Sequence, residues 1–297
     1  MENIRGILLV LAAMAAFTVE DMFIKQLSTT VPVGQILIFL GVGSGFIFAT
    51  LAILNRHRLW ARAAWRPLML MRAATEAIAA VSFATSLSLV DISVVAAVFQ
   101  ATPLAITMGA ALFLGEDVGW RRWTAIGLGF AGVLLIIRPG LEGFEPAALL
   151  VLVAVLGVSA RDLITRRVDS AVPSTVVSFQ GFAVLVPAGA ALLLFGPGAP
   201  TALAGPEAAM MAGGVLFGAL GYYGIVSAMR VADASAVTPF RYSRLIFSLL
   251  VGVIVFHERP DALTLAGATL IIATGLYTFL RERQLARRLA PPCPRRG

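Results

Sequence analysis

The sequence predicts an all-α integral membrane protein of ten transmembrane helices, arranged as two inverted five-helix repeats. Three observations carry this expectation. Of the 297 residues, 59% are hydrophobic and only 13% charged, with a mean hydropathy of +0.90; a soluble domain carries about twice that charged fraction. Ten apolar segments, each near the roughly 20 residues that cross a ~30 Å hydrocarbon core, use up most of the chain. The first half also resembles the second at a nearly constant offset of 141 to 142 residues.

Backbone amides in lipid find no water, so segments of this length are helices. The first five are expected at 4–24, 33–54, 67–88, 92–114 and 120–137, and the second five at 145–165, 174–195, 207–229, 235–256 and 262–280. The first follows Arg5 and is alanine-rich, as a signal peptide is. It is longer than a signal's apolar region and recurs mid-chain, so it reads as a retained span.

Charge fixes the expected orientation. With the N-terminus in the cytoplasm, that side receives Arg5, Arg56, Arg58, Arg62, Arg66, Arg121, Arg122, Arg166, Arg167, Arg230 and six arginines from Arg281 to Arg296. The other side receives Lys25, Arg138 and Arg259. Sixteen against three places both termini in the cytoplasm, which requires an even number of spans. The net charge of +7 is thereby accounted for by loops and a basic tail, with no basic face interleaved with aromatics for nucleic acid. Anionic lipid is the expected neighbour of that tail. The one cysteine, Cys293, supports neither a disulfide framework nor a thiolate metal site, and no cofactor is expected.

The repeat is specific. Leu8 to Ala13 reads LLVLAA and Leu149 to Ala154 reads LLVLVA; Asp21 falls on Asp162, Lys25 on Arg166, and Val31-Pro32 on Val172-Pro173. One residue of slippage later, Asp91 and Ser93 fall on Asp233 and Ser235, and Glu116 falls on Glu258. Five spans per half is an odd number, so the second half must be inverted. The expected units are 1–140, 141–283 and a basic tail at 284–297. Inverted repeats build alternately closed states around a midplane site.

Ionisable groups at membrane depth cost roughly 2.5–3.5 kcal/mol each on insertion scales, so they need partners or a wet cavity. Four acids, Glu20, Asp21, Glu76 and Asp162, face four bases, Arg72, Arg161, Arg241 and Arg244. Mutual pairing and substrate contact are both compatible with this balance. Arg72 and Glu76 share a helix face at a spacing of four. Glu20, Asp21, Arg161 and Asp162 lie near span ends, and gating or charge pairing is expected for Asp21, Arg161, Asp162 and Arg72. Arg241, Tyr242 and Arg244 form the densest polar group at mid-membrane, just after Pro239, with Gln100 as the repeat mate of Tyr242. A guanidinium there suits a carboxylate or phosphate. Arg241, Tyr242, Arg244, Gln100, Glu76 and Tyr222 are therefore the candidate substrate-binding residues, with Tyr222 as an aromatic wall. Gly127, Gly129 and Gly132 spell a dinucleotide fingerprint but lie inside a span with no preceding strand, so they read as helix packing, as do Gly214, Gly218, Gly221 and Gly224.

The segment Ser82 to Glu116, SFATSLSLVDISVVAAVFQATPLAITMGAALFLGE, and its echo from Tyr223 to Glu258 resemble the EamA family of the drug/metabolite transporter superfamily. Pro103 at mid-helix and the terminal Glu116 and Glu258 fit that family; Leu245 stands where a ninth-helix proline would match Pro103, and a frequent Trp-Ala pair in helices one and six is absent. The resemblance implies a ten-helix bacterial inner-membrane carrier of small metabolites, such as amino acids and their derivatives, riboflavin or S-adenosylmethionine. Its expected partners are an anionic or zwitterionic small molecule, membrane lipids and, as an option, a second copy in a homodimer. It also implies that helices one, three, four, six, eight and nine surround the cavity. An intramembrane enzyme is the alternative, but no HExxH or GxSxG motif is present. A membrane scaffold has no need of inverted repeats, and the lack of a Walker motif excludes ATP-driven transport by this chain alone.

Overall fold

The computed structural model describes residues 2–141, 144–168, 172–196, 198–232 and 234–289. Asp233 and the tail from residue 290 lie outside the described residues. The helices are α1 Glu2–Leu27, α2 Val33–Leu54, α3 Pro67–Leu89, α4 Ile92–Phe99, α5 Thr102–Leu114, α6 Trp120–Ile137, α7 Leu149–Thr165, α8 Ser174–Ala183, α9 Leu185–Phe195, α10 Gly205–Val231, α11 Ala234–Val237, α12 Ser243–Ile254 and α13 Ala262–Leu289. No strand occurs among the described residues. Nine helical tracks among them are long and apolar enough to cross a membrane, with α4–α5 and α8–α9 each counting as one track.

Three expected spans are interrupted, each near a proline. A proline lacks the N–H that would bond the carbonyl four residues back, and its ring crowds that carbonyl. Pro103 opens α5 after a break at Gln100 and Ala101. Pro187 follows the break at Val184 between α8 and α9. Pro239 lies in a 3-10 turn, Thr238–Tyr242, that separates α11 from α12. The track 234–254 is thus helical at both ends but tightened in the middle, and only the 12 residues of α12 form a longer helix.

The helix pairs that touch through glycines run antiparallel. Along α1 and α10, Phe23 lies on Gly213, Phe17 on Gly221, Ala13 on Gly224, and Ala232 lies beside Gly6. Any Cβ at these glycines meets those atoms, so the two helices touch closely over their length. Likewise α7 lies on α3 through Gly157 and Ala79, and α6 on α13 through Gly132 and Gly267. The glycine run in α6 is therefore a packing surface, with Gly129 against Leu104 and Thr274. The start of α2 lies on α9 through Gly34 and Gly189.

One face of the bundle, here the terminal face, carries the start of α1 and the ends of α5, α7 and α10. The far face carries the ends of α1, α3, α6 and α12. All four tryptophans sit at the terminal face: Trp60 stacks on Trp65 between α2 and α3, and Trp120 and Trp123 open α6. That is where amphipathic rings meet headgroups. Between the faces, Phe46, Leu112, Phe113, Leu134, Leu220 and Leu250 are exposed on the outside of the bundle, as a lipid-facing surface requires. The core is gathered around Ile36, Leu87, Val95, Val98, Leu245 and Ile271.

Candidate functional site

Seven of the eight membrane-depth charges segregate into two groups and a lone acid. In the first group the guanidinium of Arg244, one residue into α12, grips Asp21 of α1. Its Nη2 donates to Oδ1 at 2.9 Å and Oδ2 at 2.7 Å, and its Nε donates to Oδ2 at 3.2 Å. The Asp21 side chain is only 4% exposed. Three rings enclose the cation, with Phe17, Phe83 and Phe99 centred 5.3, 5.4 and 5.4 Å from it. A bidentate, ring-covered pair of this kind has both charges satisfied.

The second group joins α3 to α7. Arg161 donates to Glu76 at 2.8 Å and pairs with Asp162 at 2.8 Å, while Arg72 stands 3.5 Å from Glu76 one helical turn away. Arg72 also donates through Nε to Thr165 Oγ1 at 3.0 Å, and its buried Nη1 has no partner among the described residues. Glu20, the acid beside Asp21, rests against Gly218 of α10 and makes no ion pair among the described residues.

Arg241 differs from both groups. It sits in the 3-10 turn at mid-track, is exposed, and forms no ion pair among the described residues. Its electrostatic neighbours are Asp162, Arg161 and Arg244. Arg241 is thus flanked by charges on α7 and α12, a setting that a lipid-facing side chain would not have.

The other candidate residues occupy distinct places. Gln100, in the break between α4 and α5, reaches the Arg241 carbonyl at 3.5 Å, a long contact. Tyr242 turns away from Arg241: its buried hydroxyl lies over Gly275 of α13 and has no hydrogen-bond partner among the described residues. Tyr222 packs edge-on against Phe48 and Phe182, at centroid distances of 5.4 and 5.8 Å. The structure thus brings Arg241, Gln100, Arg161, Asp162 and Glu76 to one region and directs Tyr242 to another.

Residue type alone does not single out a further polar cluster, at the far face. Glu258, beyond the end of α12, accepts from the Ile92 amide at 2.7 Å and from the Ser93 amide and hydroxyl at 3.1 and 2.5 Å, capping α4. Lys25 stands 3.8 Å from the same carboxylate and donates to the Val90 carbonyl at 2.7 Å. The recurrence of a glutamate at the end of each half is the sequence signal that points to it.

The sequence model of the EamA-like transporter family matches residues 4–138 and again 145–280. The chain is 30% identical to a riboflavin transporter of Rhizobium johnstonii, covering 81% of this chain and 76% of that protein. It is 27% identical to an S-adenosylmethionine uptake transporter of Rickettsia conorii, over 70% of this chain and 69% of that one. A pseudopaline exporter of Pseudomonas aeruginosa is 23% identical over 90% of this chain and 93% of its own. A solved crystal structure superposes with a TM-score of 0.59 at 18% identity, covering 94% of this chain and 99% of that one, and so shares the fold.

Proposed function

The chain belongs to the EamA-like transporter family, and from that membership we propose that it carries a small metabolite bearing a carboxylate or phosphate, with Arg241 as the anion-binding group. The observation that carries the reading is the pairing pattern. Arg244, Arg161 and Arg72 have acidic partners in the protein, whereas Arg241 is accessible and has none among the described residues. A planar guanidinium with open donors is suited to a bidentate acid. S-adenosylmethionine, named for one of the relatives, has such a carboxylate.

The carrier works by alternating access between two inverted units, 1–140 and 141–283, each of five spans. The tenth span is the interrupted track 234–254, in which unwound backbone lines the site as it does in discontinuous transporter helices. Support comes from helix pairs that are mates under the repeat: α1 on α10 corresponds to α7 on α3, and α1 on α12 to α7 on α5. The terminal face is cytoplasmic, because arginines concentrate there, and the membrane is the bacterial inner membrane. Lipids cover the apolar belt.

The test is counterflow in proteoliposomes loaded with anionic, zwitterionic and neutral metabolites. Exchange confined to solutes with an acidic group supports the reading. Exchange of neutral solutes with equal efficiency overturns the role of Arg241.

A further inference from the structure

We infer that Glu258 and Glu116 are latches that close alternately, and that this structure is closed at the far face and open at the terminal face. The inference rests on the inverted-repeat reading above and adds the residues that hold each state.

The two glutamates stand on matching local backbones. Gly115 has φ +70° and His257 has φ +55°, so each glutamate follows a left-handed residue. The Glu116 amide donates to the Ala110 carbonyl at 3.3 Å and the Glu258 amide to the Gly252 carbonyl at 2.9 Å, positions that are repeat mates. Each glutamate also faces the mate of the other's cation: Lys25 beside Glu258, and Arg166 at 2.9 Å from Glu116. The same device is therefore built twice, once at each face.

The two copies are in different states. At the far face the Glu258 side chain is 4% exposed and is bonded to the start of α4. At the terminal face Glu116 and Arg166 are 46% and 49% exposed, a surface pair. Helix packing agrees. The first half of the 92–114 track, α4, packs along α12, while no comparable packing joins α5 to α11 or to the Thr238–Tyr242 turn among the described residues. Arg244, three residues nearer the far face than Arg241 along the same track, holds Asp21 under three rings, so the proposed closure at that face covers the side of Arg241 on which they lie.

The latches also differ in sequence. A Cβ at Gly252 would run into Oε2 of Glu258 and push that carboxylate aside, so glycine lets the far-face carboxylate seat closely, whereas the mate position holds Ala110. That difference favours the far-face latch. A buried carboxylate that accepts three hydrogen bonds is worth more than a half-exposed ion pair, whose median contribution is small.

The experiment places spin labels on the full-length protein in liposomes, with Cys293→Ser removing the native thiol. One pair, at Leu89 and Val255, reports the far face; the other, at Leu112 and Ala236, reports the terminal face. Pulsed dipolar spectroscopy gives the distance distributions. In Glu258→Gln the far-face pair gains a longer population and the terminal-face pair a shorter one, a shift in the closed-to-open ratio of roughly tenfold or more. Gly252→Ala, which leaves Glu258 intact but crowds it, shifts both pairs the same way. Glu116→Gln leaves the far face closed and removes the shorter terminal-face population. Unchanged distributions in Glu258→Gln and Gly252→Ala overturn the latch, and so does far-face opening with no terminal-face response. Wild-type counterflow on the same samples separates the two readings: transport with unmoved labels removes the latch alone, whereas absent transport removes the carrier reading.

Discussion

Arg244 and Asp21 are held together by a two-pronged contact between elements 223 positions apart in sequence, under a cover of three phenylalanine rings. The pair joins α1 of the first half to α12 of the second, so it fixes how the halves meet. Removing one partner strands a buried charge, which typically costs about 3–5 kcal/mol, while removing both is often neutral. Arg244→Met and Asp21→Asn are each expected to lower thermal stability in detergent severely. The double variant should recover most of the loss. A double variant as unstable as either single one would mean that the charge itself, not its pairing, holds the halves.

Arg241 should behave in the opposite manner. Because it has no acidic partner among the described residues, Arg241→Met leaves folding intact and changes stability by less than a typical core substitution. Its effect falls on the solute: loss of a charge-assisted contact weakens binding of an acidic metabolite by about 10- to 100-fold. Arg241→Lys restores the charge but not the fork, so recovery is partial. Binding measured on purified protein checks this, and unchanged affinity in Arg241→Met would remove the residue from the site.

Much of this arrangement is legible in the sequence, because membrane helices carry their own signal. Apolar length locates the tracks, arginine position carries the proposed orientation, and the offset between Asp21 and Asp162 carries the proposed repeat. Pro103, Pro187 and Pro239 lie near the three breaks, but the spans read as continuous in the sequence, since a proline in a span is compatible with a mere kink. The pairing of charges is not legible at all. Arg241 and Arg244 are three positions apart and equivalent by composition. They separate because Arg241 sits in a 3-10 turn, with fewer residues per turn than an α-helix, while Arg244 lies in the α-helix that follows, so the two are aimed differently. Tyr242 is a similar case: its direction toward Gly275 of α13 depends on a neighbour 33 positions away. Glu258 is visible as a repeated residue, whereas its cap on α4 requires the third dimension.

The topology admits a direct check. Reporter domains fused after Gly198 should be exported and those fused after Arg296 should remain in the cytoplasm. A third fusion in the 56–62 loop should also remain inside. The expectation rests on the arginines of that loop, of Arg166 and Arg167, and of the tail. An exported tail would make the number of spans odd and remove the inverted-repeat reading with it.

The last expectation concerns acid. At the far face Arg138, itself left-handed with φ 53° at the end of α6, donates to Asp261 just before α13. The Thr264 amide donates to the same carboxylate at 2.9 Å, so Asp261 both pairs and caps. The Arg138 hydrogen bond, followed by those from Thr264, pulls the carboxyl down from its ordinary 3.8 to about 2. A carboxyl lowered on folding stabilises the folded chain wherever it is ionised. Its contribution is therefore complete above about pH 4, declines as pH falls from there toward about 2, and is gone below. The side chain is 48% exposed, so solvent screening holds the contribution under about 1 kcal/mol. Thermal melts of wild type and Asp261→Asn in an acid-stable detergent should differ by a small constant amount from pH 5 to 7. The gap should close progressively between pH 4 and pH 2. Curves that stay parallel through that interval would show that Asp261 is not held by Arg138 in solution.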